Sequence, residues 1–521
     1  MLPAAACPTE SLSFPSGAVS RKNERKANTV QPNILFLTVD QWPGHLLGHA
    51  GNRTIETPTI DRLAEVGTRF TNTYAQTPIC IPSRRSLMTG MTSRGHGDRN
   101  FQPDLRMPEG APTLAGCFSR AGYQTTAIGK LHVYPPRDRI GFDDAILAEE
   151  GRGHLGGPDD YEMYLADCGH AGEQFMHGMS NNEYSWRTWH LPEDTHVTNW
   201  TTRTAARAFK RRDPTRPSFW HVSYTHPHPP IVPLESYFDR YARRPMPEPV
   251  SGSWSEDPDG LPFVLKAVRR YYASLPPEQL ADMRRAFYAL CTHIDHQLRI
   301  LMGTLREEKL LDDTIIVFTS DHGDMLGDHG FYGKRLMYEA SARVPLIIVD
   351  RTGEHRVGTP GGSDNRLVAL HDLMPTMLDL AGINIPESCE GESLAAASGR
   401  SHLYGESHLG TRASRMVRDK RHKLIWYPAG NRIQLFDLRD DPDECCDLSA
   451  DSGSRDVISR LTAVLVSELY GEDLDYVRDG ALVGLPEPDL ETIDNRGLSG
   501  QRGVHYPPVP PANPGEKVGA F

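Results

Sequence analysis

Eight consecutive positions near the start of the ordered-looking chain, NILFLTVD at 33 to 40, are almost wholly apolar and end in a carboxylate. A run that short with no alternation predicts a strand buried on both faces, as in a parallel sheet covered by helices. The same pattern returns at 124 to 132 (QTTAIGKLH), 218 to 224 (SFWHVSY), 314 to 323 (TIIVFTSDHG) and 342 to 350 (ARVPLIIVD). Between these runs lie helical signals. Residues 58 to 67 start on proline and stop on glycine, 82 to 89 follow the same rule, and 112 to 122 predict a further short helix. From Pro277 to Lys309 the period is near 3.6, with Phe287, Leu290, Ile294, Leu298 and Leu301 on one face, which predicts a long helix packed on the sheet. The alternation of strands and helices gives an α/β class with a mostly parallel sheet.

The pattern changes beyond Gly382. RMVRDKRHKLIWY at 415 to 427 and RIQLFDLRDD at 432 to 441 predict two antiparallel strands in a smaller C-terminal unit. The boundaries expected are an N-terminal arm over 1 to 30, a catalytic domain over 31 to 382, the smaller domain over 383 to 470, and a tail over 471 to 521. A polar insertion rich in glycine and aromatic residues, about 151 to 200, contains Tyr184, Trp186, Trp189 and His190 and is expected at the surface near any site.

At 521 residues the chain is long enough for two packed units. A formal net charge of -12, with no basic stripe, excludes nucleic acid as the natural partner, so any anion must be met by local cations. Eight cysteines show no framework spacing and suit reduced thiols. No apolar run reaches membrane-spanning length, and the first 30 residues lack the apolar core of a signal peptide. The expectation is a cytoplasmic protein without a membrane partner and with a disordered N-terminal arm. The proline- and glycine-rich tail is expected either to be disordered or to lie over a neighbouring subunit in a homo-oligomer.

Candidate chemistry gathers at strand ends. In open α/β sheets ligands bind outside the carboxyl ends of the strands, and four of the runs end in Asp40, in Lys130 with His132, in His226 with His228, and in Asp321 with His322. One sheet edge would collect them. Each alone admits a structural reading, but two carboxylates and an imidazole suit a divalent cation. A second center is Cys80, placed immediately ahead of the helix expected from Pro82, with Arg84 and Arg85 following. A helix N-terminus beside arginine is an anion site. On the long helix, Cys291, His293, Asp295 and His296 look metal-like, yet only His293 and His296 are close in phase, so packed and solvated faces explain them better.

The motif Cys80-Ile81-Pro82-Ser83-Arg84 resembles the C-x-P-S-R signature of the sulfatase family, and VDQ at 39 to 41, GKLH at 129 to 132, HPHPP at 226 to 230, SDHGD at 320 to 324 and Lys334 match that family's motifs in order. LFDLRDDPDE at 435 to 444 resembles its C-terminal strand and turn. The resemblance implies the alkaline-phosphatase-like α/β sandwich with a smaller C-terminal α+β domain. It also implies conversion of Cys80 to formylglycine by a formylglycine-generating or sulfatase-maturing enzyme, and one divalent cation held by Asp40, Asp321, His322 and the modified Cys80. The substrate class implied is a small anionic ester.

By the same resemblance, Arg84, Lys130 and Lys334 offset charge on the sulfuryl oxygens, and His228 with Lys334 protonates the leaving oxygen. His132 deprotonates the second hydroxyl of the hydrate, while His226 and Asn100 bind substrate. The chain departs from the common pattern in two places. Gln41 stands where many members have a second aspartate, and His322 where many have asparagine. Those pairs resemble choline sulfatases and phosphonate monoester hydrolases, and they move the metal preference from calcium towards manganese. The first reading is an arylsulfatase-type sulfuric ester hydrolase. The alternatives are a phosphonate monoester or phosphodiester hydrolase on the same site, and a non-catalytic anion binder in which Cys80 stays a thiol.

Overall fold

A computed structural model of the chain describes residues 31–151, 159–179, 181–272, 274–351, 356–396 and 399–490. The arm expected over 1 to 30, the end of the tail over 491 to 521 and part of the insertion, 152–158 and 180, lie outside the described residues.

The large sheet is built on β1 (Asn33–Asp40), whose eight residues are all buried. Its neighbors are β5 (Ser218–Pro227) and β6 (Thr314–Ser320), both parallel to it. Beyond β5 come β3 (Gln124–Gly129) and β4 (Asp144–Leu147), also parallel. Beyond β6, β8 (Leu346–Val349) runs antiparallel and leads to β2 (Thr68–Tyr74), which pairs with β7 (Arg343–Val344) and with β9 (Ser363–Ala369). The run expected as one strand over 342 to 350 is split at Pro345, which has no N–H to give to a ladder.

Both faces of β1 are covered, as its unbroken apolar run requires. Leu35, Leu37 and Val39 join a core with Phe287, Leu290, Ile294, Leu298 and Leu301 of the helix Pro277–Glu307. Ile34 and Phe36 point the other way, into a core with Leu114 and Phe118 of the helix Leu114–Arg120 and Leu373 and Met377 of the helix Leu373–Leu380.

The C-terminal sheet has four strands, in the order β10 (Leu403–Ser407), β11 (Ser414–Arg418), β12 (His422–Tyr427) and β13 (Arg432–Asp437), all antiparallel. The stretch 415 to 427, expected as a single strand, is therefore a hairpin. Asp419 turns it, its Oδ1 accepting from the backbone N–H of Arg421 (2.8 Å) and His422 (2.7 Å). Side chains alternate across this sheet. Met416, Ile425 and Phe436 face Met325, Phe331 and Tyr338, while Val417, Leu424, Trp426 and Leu435 face Leu461 and Leu465 of the helix Arg455–Glu468.

Two further expectations are corrected. The insertion is not wholly surface structure, because Tyr161, Tyr184 and Trp200 are buried, and Tyr184 packs edge-on against Tyr272 and tilted against Tyr332. Likewise the beginning of the tail is part of the fold. Residues Gly471–Tyr476 form a 3-10 turn, followed by β14 (Val477–Arg478) and β15 (Ala481–Leu482), which pair with each other. Asp473 anchors this segment by accepting a forked pair of bonds, 2.8 Å each, from Arg415 and a third of 2.7 Å from Arg99.

Arg415 is fully buried, so removing Asp473 leaves a buried guanidinium without its carboxylate. A chain ending at Tyr470 is expected to lose about 3–5 kcal/mol in urea unfolding, whereas one ending at Leu490 keeps its stability. Equal stability of the two truncations would show that Asp473 does not anchor the C-terminal sheet.

Candidate active site

Parallel pairing brings the four strand ends to one edge. Asp40 closes β1 opposite Pro227 of β5, after a bulge at Val39, and Asp321 follows β6 with its N–H on the Val39 carbonyl (3.3 Å). Lys130 follows β3 and donates its N–H to the Ser223 carbonyl (2.9 Å). Gly129 makes that exit possible. Its φ is +92°, and a Cβ there would overlap the Ser223 carbonyl oxygen.

Cys80 comes from a different direction. The helix begins at Cys80 itself, Cys80–Thr89, two residues earlier than the proline signal predicts, so the thiol sits in its first turn. All ten residues of the helix are buried, and Ser83 Oγ bonds the Asp321 carbonyl. One ligand atom each from Asp40, Cys80, Asp321 and His322 lies within 4.8 Å of the others. Cys80 Sγ is 3.1 Å from His322 Nε2 and 2.9 Å from Lys334 Nζ. His322 Nδ1 is 3.0 Å from the Gly323 carbonyl, which leaves Nε2 turned into the gap between the carboxylates, 3.7 Å from each.

The cations interleave with these acids. Arg84 bonds Asp321 through Nε (2.9 Å) and Asp40 through Nη2 (3.3 Å), and Nη1 bonds Ser223 Oγ and the Lys130 carbonyl, each at 2.9 Å. Lys130 pairs with Asp40 and, at 2.6 Å, with Glu150. Lys334 donates to Gln41 Oε1 (2.9 Å) and lies 2.7 Å from His228 Nε2. His132 approaches the same thiol and helps to acidify it.

Electrostatics follow from this packing. Burial works against a Cys80 thiolate, but Lys334, His322 and Lys130 outweigh it and hold the thiol well below its usual range. Burial and the neighboring Cys80 push Asp40 up, yet Lys130, His228 and Arg84 bring it down to about 2. Asp321 is raised, first by burial and then by Asp40 beside it. His322 is raised despite burial, because Asp321 and Cys80 face it. The cluster thus offers a reactive group, two carboxylates and an imidazole ringed by three cations, an arrangement suited to holding an anion against a nucleophile.

Not every expected residue joins the cluster. His226 is outside the group of ligand atoms, with Nδ1 3.2 Å from the His228 carbonyl and its ring 5.2 Å from that of His196; burial lowers it to about 4, and it lines a cavity together with His228 and Glu150. Asn100 is half-buried. Its hydrogen bonds among the described residues go to Asp98 and Phe101, and the nearest link to the cluster is the Phe101 ring, 6.3 Å from that of His132.

The metal-like residues of the long helix have other partners: Asp295 accepts from the N–H groups of Thr59 (3.0 Å) and Ile60 (2.8 Å), His293 meets Asn199, and His296 meets Tyr237.

The structure adds three acids that the sequence reading does not single out, two of them, Glu149 and Glu150, outside the motifs and the third, Asp324, at the end of SDHGD. Glu149 accepts from the N–H groups of Leu131 and His132, both at 2.8 Å, and fixes the loop carrying Lys130. Glu150 shares Lys130 and lies 3.5 Å from His228. The signal was available, since DAILAEE at 144 to 150 is another apolar run ending in carboxylates, but it is only four residues long. Asp324 accepts from Gln41, Tyr184 and the Leu326 and Gly333 N–H groups.

Comparison with known proteins places the chain among them by family. The Sulfatase family model matches residues 32–383, and a second model, N-sulphoglucosamine sulphohydrolase, C-terminal, matches 327–469. An arylsulfatase of Clostridium perfringens is 35% identical over 485 residues, covering 89% of this chain and all of that protein. A choline-sulfatase of Rhizobium meliloti is 30% identical over 368 residues, 69% of each chain. Among solved structures, the phosphonate monoester hydrolase of Agrobacterium radiobacter aligns with a TM-score of 0.74 and 25% identity, covering 84% of this chain and 95% of that one. Among the described residues no helix is long and apolar enough to cross a membrane.

Proposed function

The chain belongs to the sulfatase family of sulfuric ester hydrolases, and from that premise we propose that it cleaves sulfate monoesters of arylsulfatase type with a formylglycine made from Cys80 and one divalent cation. The observation that carries this reading is the convergence of Cys80, Asp40, Asp321 and His322 within 4.8 Å, with Lys334 on the sulfur.

The residues fit a cation. Asp40, Asp321 and His322 would hold it, the imidazole being oriented through Nδ1 as metal-bound histidines usually are. Two carboxylates and an imidazole favor manganese over calcium. When bound, the ion would polarize a sulfuryl oxygen and acidify the attacking hydroxyl. The aldehyde hydrate would supply two hydroxyls on one carbon, one to attack sulfur and one to expel sulfate, so that water adds to the regenerated aldehyde and not to the covalent intermediate.

The chain's own groups do the rest. Arg84, Lys130 and Lys334 present N–H donors to the sulfuryl oxygens. Lys334 and His228, 2.7 Å apart, share a proton that can pass to the leaving oxygen, and His132 stands beside the nucleophile to take one from the second hydroxyl. Asp321, raised by burial, is placed to accept the proton of the attacking group. His226, its Nδ1 3.2 Å from the His228 carbonyl, lines the same cavity as His228 and is kept as a substrate-binding residue.

Cys80 is only 2% exposed, so its conversion has to precede folding, on the extended CIPSR segment, by a maturing enzyme. The free thiols at Cys117, Cys291 and Cys389 suit the cytoplasm.

A second reading, hydrolysis of phosphonate monoesters or phosphodiesters, is favored by the likeness to the Agrobacterium radiobacter enzyme. The cations argue for sulfate. Those esters carry a carbon substituent where sulfate has a bare oxygen, and a substituent there forfeits one of the donors.

Mass spectrometry of the peptide spanning Cys80 from active protein is expected to show sulfur replaced by an aldehyde oxygen; active protein with only cysteine would sink the mechanism. Chelation is expected to abolish turnover, with manganese restoring it, and Asp40→Ala to remove metal and activity together. Full activity in metal-free protein would refute the ion's role. For 4-nitrophenyl sulfate against 4-nitrophenyl phenylphosphonate, kcat/KM should favor the sulfate. The reverse preference would promote the second reading.

A further inference from the structure

His228 and Glu150 face two environments. On one side they meet Lys334 and Lys130 of the cluster. They also line a cavity of about 430 Å³, its open mouth included, whose other walls include Gln174, Phe175, His177, Trp189 and Val232. A cavity that shares its wall with the group handing a proton to the leaving oxygen is where the leaving group would lie. One part of this wall comes from the insertion and another from the end of β5 and the HPHPP segment, His226 included.

Its chemistry is specific. Among the described residues the lining holds no lysine or arginine, and its carboxylate, Glu150, is 2.6 Å from Lys130. His177 is kept neutral, to about 3, first by burial and then by His190 and His226 nearby. The lining's other groups at the cluster side, Glu150 and His228, are already engaged by Lys130 and Lys334, so the rest of the wall offers no unpaired charge to a cation or an anion. Phe175 and Trp189 offer aromatic surface, and Phe175 is seated against Gly151, where a Cβ would strike its ring. One polar feature stands out. Gln174 Oε1 is buried and has no hydrogen-bond partner among the described residues. A buried acceptor without a donor is costly and rare in folded proteins, and a site built around one favors a ligand that supplies the donor.

We propose that this cavity binds the alcohol half of the substrate, and that this alcohol is an uncharged aromatic one carrying a hydroxyl or N–H donor for Gln174 at the end remote from the ester. The proposal rests on the sulfate ester reading above and names the part of the substrate that reading leaves open.

The test uses pairs of aryl sulfates matched in leaving-group acidity, 3-hydroxyphenyl with 3-methoxyphenyl sulfate and 4-hydroxyphenyl with 4-methoxyphenyl sulfate. In at least one pair the hydroxyl compound is expected to have a kcat/KM about tenfold higher. Gln174→Met, which keeps the length of the side chain and removes the acceptor, should abolish that preference, bringing the ratio of the two kcat/KM values to within about twofold of one. No hydroxyl preference in wild-type enzyme, a preference that survives Gln174→Met, or a higher kcat/KM for choline sulfate or a sulfated amino sugar would each overturn the proposal. The corresponding phenylphosphonates separate the two readings. If they alone are hydrolysed, the sulfate reading falls while the hydroxyl preference is still measured on them; if neither series is turned over, both fall.

Discussion

Everything at this site depends on burying charges of both signs within a few ångströms of one another. Asp40, Asp321, Glu150 and a readily ionised Cys80 are balanced by Arg84, Lys130 and Lys334, and none of these side chains is appreciably exposed. An isolated ion so deep would cost several kcal/mol, and the cluster is tolerable only because each charge has a partner at hydrogen-bond distance. The partners are held by backbone, not by side-chain freedom. Strand ends, one helix start and the Gly129 exit fix where most of these charges begin, and Lys334 reaches them from the loop ahead of the helix Glu339–Ala342.

That balance also explains how one site can attract an anion and hold a dication. Arg84 and Lys130 spend donors on Asp40 and Asp321 in the structure as it stands. A dication taking over those carboxylates would release the same donors for a bound anion, so the two ligands would favor one another. The residues that bind each are then coupled through shared carboxylates, without any movement of the sheet.

The apolar runs and what terminates them made much of this legible. Continuous burial of β1, β5 and β6 is written in their composition, and Asp40, Lys130, Asp321 and His322 follow directly from where the runs stop. The C-terminal hairpin was harder to read, because the polar turn at 419–421 sits inside a stretch of strand-forming residues, and only the side chain of Asp419 marks the reversal. β4 was missed for being four residues long, and Glu149 and Glu150 were missed with it. Gln174 and Phe175 have no periodicity or motif to announce them. They become part of a site only when the insertion folds back over the HPHPP segment, a tertiary event that no local pattern encodes.

Gln41 shows how a departure from the common family pattern is absorbed. A second aspartate at this position would face Asp324, already a buried carboxylate, and the two would repel. The carboxamide instead divides its poles. Its Oε1 accepts from Lys334 at 2.9 Å, and its Nε2 donates to Tyr184 Oη at 2.8 Å and to Asp324. The position therefore links the cation that approaches Cys80 to an acid three residues after Asp321, through a tyrosine supplied by the insertion. Tyr184 ties the insertion to the strand ends: the segment that lines part of the leaving-group cavity also hydrogen-bonds the Gln41 side chain that accepts from Lys334.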